Sequence, residues 1–103
     1  MALPVIWAKR ARSDLRLTVD HLRQDSPEAA RTFGRAMVQA AASLSTLSMR
    51  GRVVPELGNP DVRELLLGRY RLVYEVFPTQ VAVVRIIHAS RDFMRAWRSP
   101  GSV

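Results

Sequence analysis

A chain of 103 residues forms one domain and buries about 65% of its unfolded surface, enough for a single core. It contains no cysteine, which excludes a disulfide framework, a thiolate nucleophile and a Cys-based zinc site, and fits a reducing compartment. The net charge is +7, and Lys9 is the sole lysine among 16 cationic residues. Forked guanidinium recognition of an acidic partner is therefore expected, the partner being nucleic acid or an acidic protein segment.

Residues 4–7 look like a short strand. The apolar run 2–8 is too short to span a membrane, follows no basic residue and precedes no small-residue cleavage site, so the expected location is the cytoplasm. Over residues 9–23, Leu15, Val19 and Leu22 fall at helical spacing between charges and predict an amphipathic helix. Ser26 is a suitable cap, Pro27 suits a first helical position and Glu28 suits the positive end of the dipole, so a second helix starts there. Ala30, Phe33, Met37, Ala40, Leu44 and Leu47 continue it on one stripe. The short connector makes the two helices an antiparallel hairpin.

Residues 50–61 have two Pro, two Gly and no period, and read as a loop. Three β-rich runs follow, 62–67, 70–77 and 81–88, separated by Gly68-Arg69 and by Pro78-Thr79-Gln80. Alternation on the middle run separates Tyr70, Leu72, Tyr74 and Val76 from Arg71, Val73, Glu75 and Phe77. Arg71 and Arg85 are expected to meet on a working side of the sheet, opposite a clean apolar side that takes the helices. Residues 93–98, FMRAWR, are basic and aromatic, and 99–103 read as a flexible tail after a single domain of residues 1–98. The predicted fold is α+β, in the order β-α-α-β-β-β, with a helical hairpin on a small antiparallel sheet.

The order of elements, SPEAA at the second helix, RGRVVPEL in the loop, VRELLLGRYRLVYEV across two strands and IIHASRD at the last strand end resemble the ParE/RelE toxin superfamily over nearly the whole chain. The resemblance implies a small bacterial toxin neutralised by a cognate antitoxin. ParE-like members poison DNA gyrase; RelE-like members are ribosome-dependent endoribonucleases. Arg71 and Arg91 match arginines of the RelE-like pattern, and His88 could serve as its acid, with Glu56 or Glu64 as base. Val62 and Glu64 stand where that pattern has basic residues, and Trp97 stands near its C-terminal tyrosine. The ParE-like branch is therefore expected, with no catalytic residue, and Arg71, His88 and Arg91 are the catalytic set only if the chain is RelE-like.

Arg71, Arg85 and Arg91 are then expected to meet antitoxin carboxylates, with alanine at Arg71 and Arg85 weakening that contact at little loss of folding. Phe93, Arg95, Trp97 and Arg98 are candidates for the target. The plainer alternatives are that Arg71 and Arg85 pair with Glu75 or Glu64, that His88 is a structural hydrogen-bonding histidine, that Arg50-Gly51-Arg52 is a solvated turn, and that Arg91-Asp92 is an internal ion pair. With His21 and His88 as the only histidines, no metal or cofactor is expected. The weakest reading, a free-standing nucleic-acid binder, rests on charge and the C-terminal aromatics.

Overall fold

The computed structural model describes residues 2–99; most of the predicted tail lies outside the described residues. The elements are β1 (Val5–Trp7), α1 (Lys9–Asp25), α2 (Pro27–Ser43), β2 (Arg52–Val53), β3 (Val62–Leu67), β4 (Tyr70–Val76), β5 (Val81–His88) and α3 (Phe93–Arg98). The strands form one sheet in the order β1-β5-β4-β3-β2. The expected α+β architecture is present. The sheet is not wholly antiparallel, however, because β1 runs parallel to β5 at one edge. None of the described helices is long and apolar enough to cross a membrane.

Local chemistry explains the hairpin of helices. The Ser26 side chain accepts from the Ala29 N–H at 3.1 Å, and Pro27 opens α2 where a missing N–H does no harm. Met37, Ala41 and Leu44 then meet Leu65, Leu72, Tyr74, Val81, Val83 and Ile86 in the main core. Leu47 does not join that stripe. Helix α2 stops at Ser43, the following turn redirects the chain, and Leu47 is 57% exposed.

The two turns between strands follow the sequence closely. Gly68 adopts φ 59° in the two-residue link between Leu67 and Tyr70, a left-handed conformation that favours glycine. Between β4 and β5 the register begins with Val76 opposite Val81. Regular alternation from that pair would send Arg85 into the helix-facing core with Val81 and Val83. It does not, because the pairing passes from Tyr74↔Val83 to Val73↔Arg85 and skips Val84. This β-bulge reverses the phase of the strand. Ile86 then takes the core position, while Arg85 and Ile87 turn to the other face with Arg71 and Val73.

That second face has its own small core of Val54, Val62, Val73, Ile87, Phe93 and Ala96, covered by α3. Gly51 fits against β3 and β4: a Cβ there would lie 2.6 Å from the Glu64 carbonyl oxygen and 2.7 Å from the hydroxyl of Tyr74, a residue of the main core. The Gly51 N–H donates to that buried hydroxyl at 2.9 Å, so the expected solvated turn has a packed glycine between the exposed Arg50 and Arg52. Gly51→Ala is expected to lower stability by about 1–3 kcal/mol, because the obstructing atom is backbone and cannot swing aside. A urea titration comparing midpoints checks this.

Candidate functional site

Three groups of polar side chains are built around the sheet. On the α3 face, β3 and β4 place Glu64 beside Arg71, since Glu64 pairs with Val73 and Leu66 with Arg71. Arg71 Nε donates to Glu64 Oε1 at 2.6 Å, and its two terminal nitrogens donate to Glu56 at 3.0 and 2.7 Å. Arg52 Nε donates to the other Glu64 oxygen at 2.6 Å. The Arg71 guanidinium also lies 4.3 Å from the centroid of the Phe93 ring. Glu64 is enclosed, and Arg71 is 7% exposed.

Two arginines and two glutamates cancel in this cluster. The bonds from Glu56, then from Glu64, raise Arg71 above its ordinary range against the opposing effect of burial. Reciprocally, the Arg71 hydrogen bond lowers the Glu56 carboxyl below its ordinary value. A group whose pKa falls on folding stabilises the fold above its unfolded value, and that contribution disappears as pH drops through the folded value. Glu56→Gln is therefore expected to flatten the fall in stability on acidification below about pH 4.5, the ordinary glutamate value, in pH-dependent urea titrations.

The second group closes the sheet edge. Strand β1 ends at Trp7, opposite Val83, and leaves the later part of β5 paired with β4 on one side and with no strand on its outer edge. Asp14 of α1 fills that role. Its Oδ2 accepts the Ile86 backbone N–H at 2.9 Å and Arg85 Nε at 2.7 Å. Arg85 Nη1 reaches the Ala96 carbonyl of α3 at 2.7 Å. Arg85 is 2% exposed. It shares a face with Arg71, as expected, but the two do not form an open working surface, because each is tied to its own acids. The expectation that alanine at Arg85 or Arg71 would leave folding intact is corrected by these buried bonds. Glu75 takes no part; the partners are Asp14, Glu56 and Glu64.

The third group lines a cleft of about 400 Å³ beside the same edge, on the helix side, with Tyr70, Ile86, His88 and Arg91 facing Thr18 and His21 of α1. The Tyr70 ring stands edge-on between Phe33 and His88, with centroids 4.8 and 5.0 Å away. His88 Nδ1 accepts the Ser90 N–H at 3.1 Å, so a neutral His88 carries its proton on Nε2. This is a local hydrogen bond of the kind a structural histidine makes. The catalytic set considered for a ribonuclease is thus divided: His88 and Arg91 border the helix-side cleft, whereas Arg71 lies beneath Phe93 on the opposite face.

At the C-terminal helix, Asp92 caps the Arg95 N–H at 3.2 Å and forms no ion pair with Arg91. Phe93 is 3% exposed and stacks on Trp97 at 5.6 Å. Phe93 is therefore a core residue, not an exposed anchor for a target. Trp97 is half-buried, and Arg95 and Arg98 are exposed.

The family model described as "ParE toxin of type II toxin-antitoxin system, parDE" matches residues 5–93. The chain belongs to the ParE toxin family. As a ParE toxin, it is the toxin type of a type II toxin–antitoxin system. No curated protein matches it. Among solved structures, it is similar to a chain described as "Chromosomal ParDE TA system from P. aeruginosa", with a TM-score of 0.71 and 23% identity over 86% of this chain and 98% of that one. At that identity the likeness concerns the fold. Within this ParE toxin, Asp14 escaped sequence reasoning. Its signal was an acid on the helix face defined by Ala11 and Leu15, matched by a lone arginine in an apolar strand.

Proposed function

We propose that this ParE toxin acts in the cytoplasm by binding DNA gyrase and holding its cleaved-DNA intermediate, and that a cognate antitoxin neutralises it. The observation carrying this reading is the charge-balanced Arg71 cluster. An endoribonuclease needs cations available to a phosphorane and a proton donor beside them; Arg71 is committed to two glutamates and is separated from His88 and Arg91 by the sheet. Holding an intermediate needs only a binding surface, because the bond-breaking chemistry belongs to gyrase.

The exposed Arg95 and Arg98 and the half-buried Trp97 are the target-facing residues of this proposal. For the antitoxin, Arg91 at the rim of the cleft offers an accessible guanidinium to a carboxylate, while Arg71 and Arg85 act by holding the surface that the antitoxin meets. Purified chain incubated with gyrase and supercoiled plasmid should accumulate cleaved DNA, and a translation reaction should proceed unaffected. Arg95→Ala with Arg98→Ala should raise the toxin concentration needed for cleavage without shifting the melting temperature. Arrest of translation with no cleaved DNA would replace the proposal with the ribonuclease reading.

A further inference from the structure

Helix α1 opens with KRARSDLR, which carries Lys9, Arg10, Arg12 and Arg16 without an acidic residue in the first turn or a side-chain cap at Ala8. Cations at this end oppose the helix dipole and repel one another, which disfavours the arrangement in the isolated chain. Arg10 has a structural explanation, since it donates to the Trp97 and Ser99 carbonyls at the end of α3. Asp14, the acid nearest in sequence, turns inward to Arg85 and Ile86. Lys9, Arg12 and Arg16 remain exposed, and among the described residues none pairs with a carboxylate.

Lys9, Arg12 and Arg16 fall three and four residues apart, on one side of the helix. With Ser13 they line a shallow groove of about 290 Å³. No apolar side chain contributes to it. The core of a protein interface is typically apolar, with aromatic anchors, whereas a nucleic-acid backbone is held by cations and hydroxyl donors. The eight residues from Lys9 to Arg16 advance about 10 Å along the helix axis, comparable to about three base-pair rises of a duplex axis.

We infer that the Lys9/Arg12/Ser13/Arg16 face of α1 contacts the DNA phosphate backbone, so that the toxin grips the DNA of the gyrase complex as well as the enzyme. The inference rests on the gyrase reading for its biological setting, but the contact itself is testable without gyrase. A short labelled duplex is titrated with the full chain at several salt concentrations, for the unsubstituted protein, for K9Q/R12Q/R16Q, and for R31Q/R35Q, which removes two exposed charges from α2. Melting temperatures confirm that each variant is folded.

The slope of log affinity against log salt should become shallower by about 2 to 3 in K9Q/R12Q/R16Q, at about 0.9 per phosphate contact, and by less than about 1 in R31Q/R35Q. On gyrase and plasmid, K9Q/R12Q/R16Q should need about tenfold more protein or greater for half-maximal cleavage. An unchanged slope in the folded triple variant overturns the inference even if gyrase cleavage proceeds. So does loss of affinity for an acidic antitoxin segment with an unchanged DNA slope, which would assign the face to a protein partner. If the unsubstituted chain never stabilises cleavage, the gyrase reading fails, and a slope lost in the triple variant alone still establishes the DNA contact.

Discussion

Asp14→Ala is expected to lower folding stability by about 3–5 kcal/mol, the effect of stranding a buried charge. Removing this carboxylate leaves the Arg85 guanidinium enclosed, retaining only its bond to the Ala96 carbonyl, and leaves the Ile86 N–H without its acceptor. Arg85 links this edge to α3, so a guanidinium left without its acid should also disturb the Trp97 environment beside the global transition. An apolar swap, Asp14→Leu with Arg85→Met, tests how the two losses divide. Replacing a buried ion pair by apolar groups is often neutral, but here the Ile86 N–H would still lose its acceptor, whereas the Ala96 carbonyl keeps the Ser99 hydroxyl as donor. The double variant should therefore remain destabilised by about 1–3 kcal/mol, for that one unsatisfied N–H. Urea denaturation of the two variants beside the unsubstituted chain decides it; a double variant as stable as the original would show that the edge cap contributes nothing.

Glu64→Ala should produce a loss of similar size, about 3–5 kcal/mol, for a different reason. Glu64 is the shared acceptor of Arg52 and Arg71, and without it the cluster carries one net positive charge beneath Phe93. Arg71 keeps Glu56, but that glutamate's side chain is 35% exposed and solvent screens it. Substitution of Arg52, whose own side chain is 57% exposed, should have a much smaller effect, within about 1 kcal/mol. Equal losses at positions 52 and 64 would mean that the cluster stabilises through exposed pairing, not through the buried Glu64–Arg71 contact.

Strong period made the long elements legible. The helices, the hairpin between them, and the three strands from Val62 onward were readable because each repeats its apolar residues over several turns or pleats. The pairing of β2 was not, since two residues have no period and Arg52 and Val53 are strand only through long-range contact with β3. The bulge at Val84 was equally hidden: nothing in VAVVRIIH distinguishes the skipped valine from its neighbours. Arg71 and Arg85 were correctly expected to share a face, yet for Arg85 the strict alternation set by the Val76↔Val81 pair would have given the opposite side.

Of the candidate site, the sequence marked the arginines and, among their partners, Glu64 but neither Glu56 nor Asp14 as such. Glu64 stood out as an acid in place of a basic residue, and its position became clear only when pairing put it beside Arg71. Asp14 was concealed by distance, lying 71 residues from Arg85. Phe93 looked like a surface aromatic because a six-residue helix has too few turns to reveal which side is covered.

Helix α3 is far shorter than a helix that persists alone in water. It is held from outside by three arginines, Arg10 from α1, Arg71 from β4 and Arg85 from β5. All three are made earlier in translation than the helix they secure. While the chain is being synthesised, Val54, Val62, Val73 and Ile87 therefore lie bare until the last turn has left the ribosome. During that interval a nascent chain offers its neighbours an uncovered apolar face, and a molecular chaperone or a second nascent chain can reach it before the toxin has closed upon itself.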